Sequence, residues 1–188
     1  MFEGTRVTVH VRGPTVDQAT SRPARATVSE TRTEFADLSA YDIAGDAWVV
    51  VPASVDVDGS RVNYTIVSRS YTGFADVDDA RGFNGYSISF KALTDDPLVS
   101  IRDARIAPSQ TTLGIEQRRV TFDDDTLFIN VDGVRFTYRD TLAIELGFSI
   151  RGTRGEDFLT GGNGRDAILG GSGDDVIAGM GGNDRITG

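Results

Sequence analysis

Apolar and polar residues alternate over Thr5–Arg12, the two-residue period of a strand with one buried face. Pro14 and Pro23 bracket a polar loop, and alternation resumes over Arg25–Ser29. Tyr41–Ile43 and Trp48–Val51 read as short strands around a Gly45-Asp46 turn, and Asp58-Gly59 introduces a hairpin partner at Val62–Val67. Phe83–Phe90 and Leu98–Ile106 supply further strands. The clearest hairpin pairs Leu127–Val131 with Val134–Tyr138 across Asp132-Gly133, and Leu142–Leu146 follows. No window carries helical periodicity. About ten short strands separated by turn signals predict an all-β fold, an antiparallel β-sandwich of jelly-roll type, over residues 1–150. Trp48, Phe90, Phe128 and Phe136 are its expected core members.

After Arg151 the period changes from two to nine. The chain reads GTRGEDFLT, GGNGRDAIL, GGSGDDVIA, GMGGNDRIT and a final Gly188. Glycine opens each unit (Gly152, Gly161, Gly170, Gly179) and recurs three places on (Gly155, Gly164, Gly173, Gly182). Aspartate stands sixth (Asp157, Asp166, Asp175, Asp184) and a large aliphatic eighth (Leu159, Ile168, Ile177, Ile186). Four positions held in phase make an internal repeat, and a flexible linker has no reason to keep an aliphatic at every eighth place. The glycines permit tight turns, and the three residues after each aspartate suit a short strand with its central side chain inward. Turn and strand, twice over, give one coil per eighteen residues, a short parallel β-roll over residues 151–188. Each turn then lies above the turn two units earlier, and stacked aspartates repel unless a cation sits between them. Carboxylate and carbonyl oxygens without histidine or cysteine are hard ligands that suit Ca²⁺.

These units resemble the G-G-x-G-x-D-x-U-x nonapeptide of the RTX, or haemolysin-type, calcium-binding repeat. The resemblance implies that half-sites one coil apart share an ion, Asp157 with Asp175 and Asp166 with Asp184, for about two interior Ca²⁺ sites. The remaining expected ligands are first and third residues of the units: Gly152, Arg154, Gly161, Asn163, Gly170, Ser172, Gly179 and Gly181. Thr153 and Met180 replace the second glycine of the first and last units, so the terminal half-sites are expected to be weaker. More faintly, Val7-Thr8-Val9, Phe83-Asn84-Gly85 and Arg119–Asp125 are similar to an all-β domain preceding RTX repeats in type I-secreted proteins of alphaproteobacteria. That resemblance implies no activity.

Composition narrows the partners. Twelve of the 22 glycines follow Arg151, and the formal charge of -9 makes phosphate backbones and anionic membranes poor partners. Cysteine is absent, so there is no disulfide framework or thiol chemistry. No apolar run reaches membrane-spanning length, so no membrane insertion is expected. The N-terminus lacks the regions of a signal peptide, in keeping with the C-terminal export signal that the RTX resemblance implies. The chain stops inside the repeat, from which a longer protein, or a partner covering the last coil, is expected.

Outside the repeats, Asp76, Asp78 and Asp79 are the preferred candidates for an extra calcium site, although no acidic cluster has EF-hand spacing. Tyr71, Phe74, Phe83 and Tyr86 are candidates for a ligand platform, with plugging of the core end as the competing reading. His10, the only histidine, stands in an alternating strand without an HExxH motif. No G-x-S-x-G elbow occurs, Asp124 and Glu145 have no spacing that makes them a glycosidase pair, and the G-x-G-x-x-A at Gly162–Ala167 leads no helix. No catalytic residues are therefore expected. The expected protein is a calcium-binding, non-enzymatic module, extracellular or on the cell surface, with surface polysaccharide or self-association as candidate partners. An adhesin or self-assembling matrix protein, or the accessory part of a larger secreted enzyme, are the alternatives.

Overall fold

A computed structural model describes residues 2–43, 50–77, 82–95 and 98–188. The structure is all-β. Strands β1 (Arg6–Arg12) and β2 (Ala24–Thr27) form a hairpin at one edge. Next come β3 (Ala53–Asp58) and β4 (Arg61–Ile66), joined through Gly59 at φ 61°, where a left-handed residue closes the tight turn. β5 (Gly85–Phe90) leads into a one-turn helix, α1 (Lys91–Asp95), followed by β6 (Val99–Ile106), β7 (Val120–Phe122) and β8 (Thr126–Asn130). The longest strand, β9 (Thr141–Arg151), precedes four three-residue strands: β10 (Phe158–Thr160), β11 (Ala167–Leu169), β12 (Val176–Ala178) and β13 (Arg185–Thr187).

Two sheets face each other. One has the order β2-β1-β5-β8-β7, antiparallel throughout. The other is built on β9, which pairs antiparallel with β4 on one edge and β6 on the other. Period-two alternation aims Val7, Val9 and Val11 of the first sheet, and Val55, Val62 and Tyr64 of the second, into one core. Aromatic contacts tie the layers: Phe2 stacks on Phe90 at 4.4 Å and meets Phe148 edge-on at 5.6 Å. The Tyr64 hydroxyl donates to Tyr86 Oη across the sandwich at 2.8 Å, and burial pushes both phenols up in pKa.

Three local expectations are corrected. Tyr41–Ile43 is not a strand: a 3₁₀ turn spans Leu38–Tyr41, capped by Asp37, whose carboxylate accepts the Ser39 amide at 2.9 Å. The Asp132-Gly133 turn forms, but Val134–Tyr138 does not return along β8. Both edges of β8 are taken by β5 and β7, and the 134–136 segment bonds to residues 72–74 instead. Val134 and Phe136 are still buried, whereas Phe128 is only half-buried because the pleat turns it to the outer face. The Gly45-Asp46 turn and Trp48 lie outside the described residues.

The end of β9 positions the functional segment. Its last residues, Ser149–Arg151, pair in parallel with Ala167–Leu169 of β11, which pairs in parallel with β13. β10 and β12 form the opposite, two-stranded parallel sheet. The second sheet of the sandwich is therefore continuous with one wall of the roll, and the 150/151 step in composition falls inside β9. Ile168 belongs to the sandwich core, and Leu159 and Ile177 pack against it.

Candidate metal centre

The eighteen-residue coil is visible in the register, which matches Leu159 with Ile177 and Ile168 with Ile186. This phase places the aspartates in two stacks, one on each side of the roll. In one, the Asp157 amide donates to Asp175 Oδ1 at 3.1 Å; in the other, the Asp166 amide donates to Asp184 Oδ1 at 3.0 Å. The pairs expected from the repeat are the pairs the structure brings together.

Asp157 and Asp166 also close their own turns. Asp157 Oδ2 accepts the Thr153 amide at 2.7 Å, and Asp166 Oδ2 accepts the Gly162 amide at 2.7 Å. Main-chain oxygens converge on the same places. A Cβ built on Gly161 would overlap Asp166 Oδ2 and stand 2.6 Å from the Gly179 carbonyl oxygen of the next coil. At Gly152 it would overlap the Gly170 carbonyl oxygen and lie 2.9 Å from Asp157 Oδ2. The first-position glycines are thus needed for close approach, and they leave a carboxylate oxygen and a carbonyl oxygen facing one small space. Further carbonyls line the stacked turns: those of Thr153 and Gly162 accept the amides of Ser172 and Gly181.

This donor set is oxygen only. Among the described residues no three acidic or imidazole side chains come together, so the carbonyls would have to complete a coordination shell. Two carboxylates per stack with surrounding carbonyls fit a large, hard cation of flexible geometry, and Ca²⁺ meets that description better than Mg²⁺.

Asp166 differs from the other three. It is fully buried, whereas Asp157, Asp175 and Asp184 are partly exposed. Its Oδ1 accepts the Phe148 amide of β9 at 2.6 Å, a bond between repeat and sandwich. Burial raises its pKa, opposed by the bonds from Gly162 and Phe148 and helped by the charge of Asp184. Counting nine back from Gly152 explains the contact. Residues 143–151 occupy the place of a preceding unit, with Phe148 where aspartate would stand and Ile150 where the aliphatic stands. The sandwich itself supplies the first layer of the β9–β11–β13 wall.

Ser60, in the β3–β4 turn, completes this junction. Its hydroxyl oxygen accepts the Asn163 amide at 2.5 Å and its carbonyl accepts the Leu146 amide at 2.9 Å. β9 exchanges β4 for β11 along one edge here, and Ser60 and Asp166 satisfy the two amides left between them. Reading the repeat phase backwards would have found Phe148, but no sequence signal marks Ser60.

The other candidates are dispersed. Asp76 lies against Gly133, and Asp132 accepts the neighbouring Val77 amide at 2.6 Å. Asp78 and Asp79 fall outside the described residues. Phe74, Phe83 and Tyr86 are core residues, with Phe74 edge-on to Tyr86 and 4.8 Å from Phe136. Only Tyr71 is open to solvent, so the four do not share an exposed face.

Comparison with known proteins settles the repeat. Residues 149–177 and 169–188 match the RTX calcium-binding nonapeptide repeat, four copies. The C-terminal segment is an RTX repeat segment. Repeats of this family bind Ca²⁺. The RTX match begins within β9, at the residues that form the first layer of the roll, and does not extend over the sandwich. No curated protein and no solved structure matches the chain.

Proposed function

We propose that this chain is a secreted, non-enzymatic module whose RTX segment completes its folding on Ca²⁺ outside the cell. In this reading residues 1–150 are a preformed sandwich, the turn around Asp166 is docked on it without metal through the Phe148 amide, and the rest of residues 151–188 is a metal-dependent roll. Asp157 with Asp175 hold one ion, and Asp166 with Asp184 the other. Carbonyls from the first and third residues of the units complete both shells. The observation that carries the proposal is the pairing of carboxylates one coil apart, with Asp157 and Asp166 each beside a main-chain carbonyl at a first-position glycine.

The bound ion supplies positive charge that offsets the repulsion between stacked carboxylates. The chain's own part is to order the turns. Without the ion, glycine-rich turns lose much entropy on ordering and the aspartates repel. Extracellular calcium modules bind with Kd of about 10⁻⁴–10⁻³ M. A site at tenfold saturation then contributes about 1.4 kcal/mol to the ordered form. Proteins with such repeats are typically exported by type I systems, which supports the extracellular assignment. The non-enzymatic assignment is supported by the RTX repeat family, which is typically structural or binding.

Far-UV circular dichroism and titration calorimetry with Ca²⁺, using Mg²⁺ and Asp175→Ala as controls, test the proposal. The expected result is a Ca²⁺-specific gain of β signal near two ions per chain, reduced in the variant. A flat titration would sink it.

A further inference from the structure

Arg69 and Arg139 converge on one exposed phenol. The Arg69 guanidinium carbon lies 4.0 Å from the centroid of the Tyr138 ring, and that of Arg139 lies 5.3 Å away. Two like charges are thereby held on a single ring, within a Debye length of about 10 Å. Among the described residues neither arginine forms an ion pair with a carboxylate. Asp140, the adjacent acid, is engaged elsewhere, accepting from the Thr137 amide and the Thr112 hydroxyl.

The backbone is shaped to hold this arrangement. The Arg139 amide donates to Ile66 O at 3.0 Å and the Phe136 amide to Thr72 O at 3.1 Å, setting the two segments side by side. Arg139 itself sits at φ 72°, a left-handed conformation that glycine adopts without penalty and a residue with a Cβ does not. An arginine at this position gives up stability and places a second guanidinium beside Tyr138. Strain of this kind gathers at binding sites.

We propose that Arg69, Tyr138 and Arg139 form an anion clamp that takes a sulfate group of an acidic polysaccharide. Two guanidiniums against one exposed phenol ring present donors from several directions, which suits a tetrahedral oxyanion. Tyr71, 41% exposed on the same segment as Arg69, offers a ring face for the adjoining sugar. The net charge of -9 and the small size of the patch disfavour nucleic acid, which needs a long basic track. The clamp precedes the first residue of β9, and the nearest repeat carboxylate, Asp166, is bonded to Phe148 within that strand. Seven residues of strand from Thr141 to Phe148 put about 23 Å between them. Anion binding is therefore separate from the calcium sites.

Calorimetry of the full chain with a heparin octasaccharide, at low salt and with chelator present, tests the clamp; sodium sulfate and Arg118→Gln serve as controls. Saturable binding is expected, weakened at least tenfold by Arg69→Gln and by Arg139→Gly but not by Arg118→Gln. Arg139→Gly should at the same time raise Tm, because glycine relieves the strain. Loss of binding in a more stable protein separates a binding role from a structural one. Binding of sodium sulfate as tight as that of the octasaccharide would support the clamp but assign it to the free anion. No binding of either probe, or binding that survives both arginine substitutions, overturns the proposal.

Discussion

Replacing Asp166 by alanine removes the carboxylate that joins the RTX segment to the sandwich. Its two oxygens accept from Phe148 N at 2.6 Å and Gly162 N at 2.7 Å, both in fully covered surroundings. A buried donor deprived of its acceptor costs about 1–3 kcal/mol, so the two amides cost about 2–6 kcal/mol. Part of this is offset, because burial already disfavours the charged carboxylate and its removal relieves that penalty. A net loss of about 2–3 kcal/mol is expected before any calcium is bound. Asp157→Ala is the matched control: it loses bonds from the exposed Thr153 amide and hydroxyl, which water replaces for under about 1 kcal/mol. Urea unfolding followed by circular dichroism in chelator separates the two. With a urea dependence of about 1–3 kcal/mol per molar, the Asp166 variant should unfold about 1–2 M earlier than wild type, and the Asp157 variant close to it. Both variants should still lose calcium affinity. Equal midpoints for the two variants in chelator would refute the idea that Asp166 is a structural tie as well as a ligand.

The sequence shows the repeat plainly because each unit repeats the same physical requirement. Every coil needs a close-approach glycine, a carboxylate and an inward aliphatic at fixed phase, so Asp157–Asp175 and Asp166–Asp184 could be paired by counting alone. The strands of the sandwich were legible for a similar reason, as the segments expected over Thr5–Arg12 and Val62–Val67 appear, within a residue at each end, as β1 and β4. What local pattern cannot report is competition for a partner. Val134–Tyr138 has hairpin chemistry before it and alternation within it, yet β7 takes the edge of β8 that it would need. Aromatic residues near glycines read equally well as an exposed platform or a core plug, and for Phe74, Phe83 and Tyr86 burial decides. Ser60 and Arg69 were invisible for a stronger reason. Their partners lie far along the chain, at Asn163 and Tyr138, and a serine in a turn or an arginine in a loop carries no signal of such a contact.

Two further perturbations probe the junction and the sandwich. His10 is held below its usual pKa by burial and by the charges of Arg12 and Arg25. The unfolded chain therefore takes up a proton near pH 6.5 that the folded chain refuses, and stability should fall as the pH drops below 6.5. Chelated wild type should show that slope in thermal melts and His10→Asn should lack most of it; an identical pH profile for the two would be the wrong outcome. The second compares two glycines of the repeat whose surroundings differ sharply. A Cβ on Gly162 would meet Ser60 Cβ at 2.6 Å and Phe148 Cε2 at 3.0 Å, whereas one on Gly155 meets nothing within 4 Å. Neither has a positive φ, so the contrast is one of space and not of backbone strain. Gly162→Ala should cost about 1–3 kcal/mol by overpacking, and Gly155→Ala should be neutral or stabilise by up to about 1 kcal/mol through the unfolded chain. If the roll were a free appendage, Gly162→Ala would leave the unfolding of the sandwich unchanged. Because Phe148 lies both in the sandwich core and against Gly162, the substitution should instead lower the stability of both parts together in one unfolding transition.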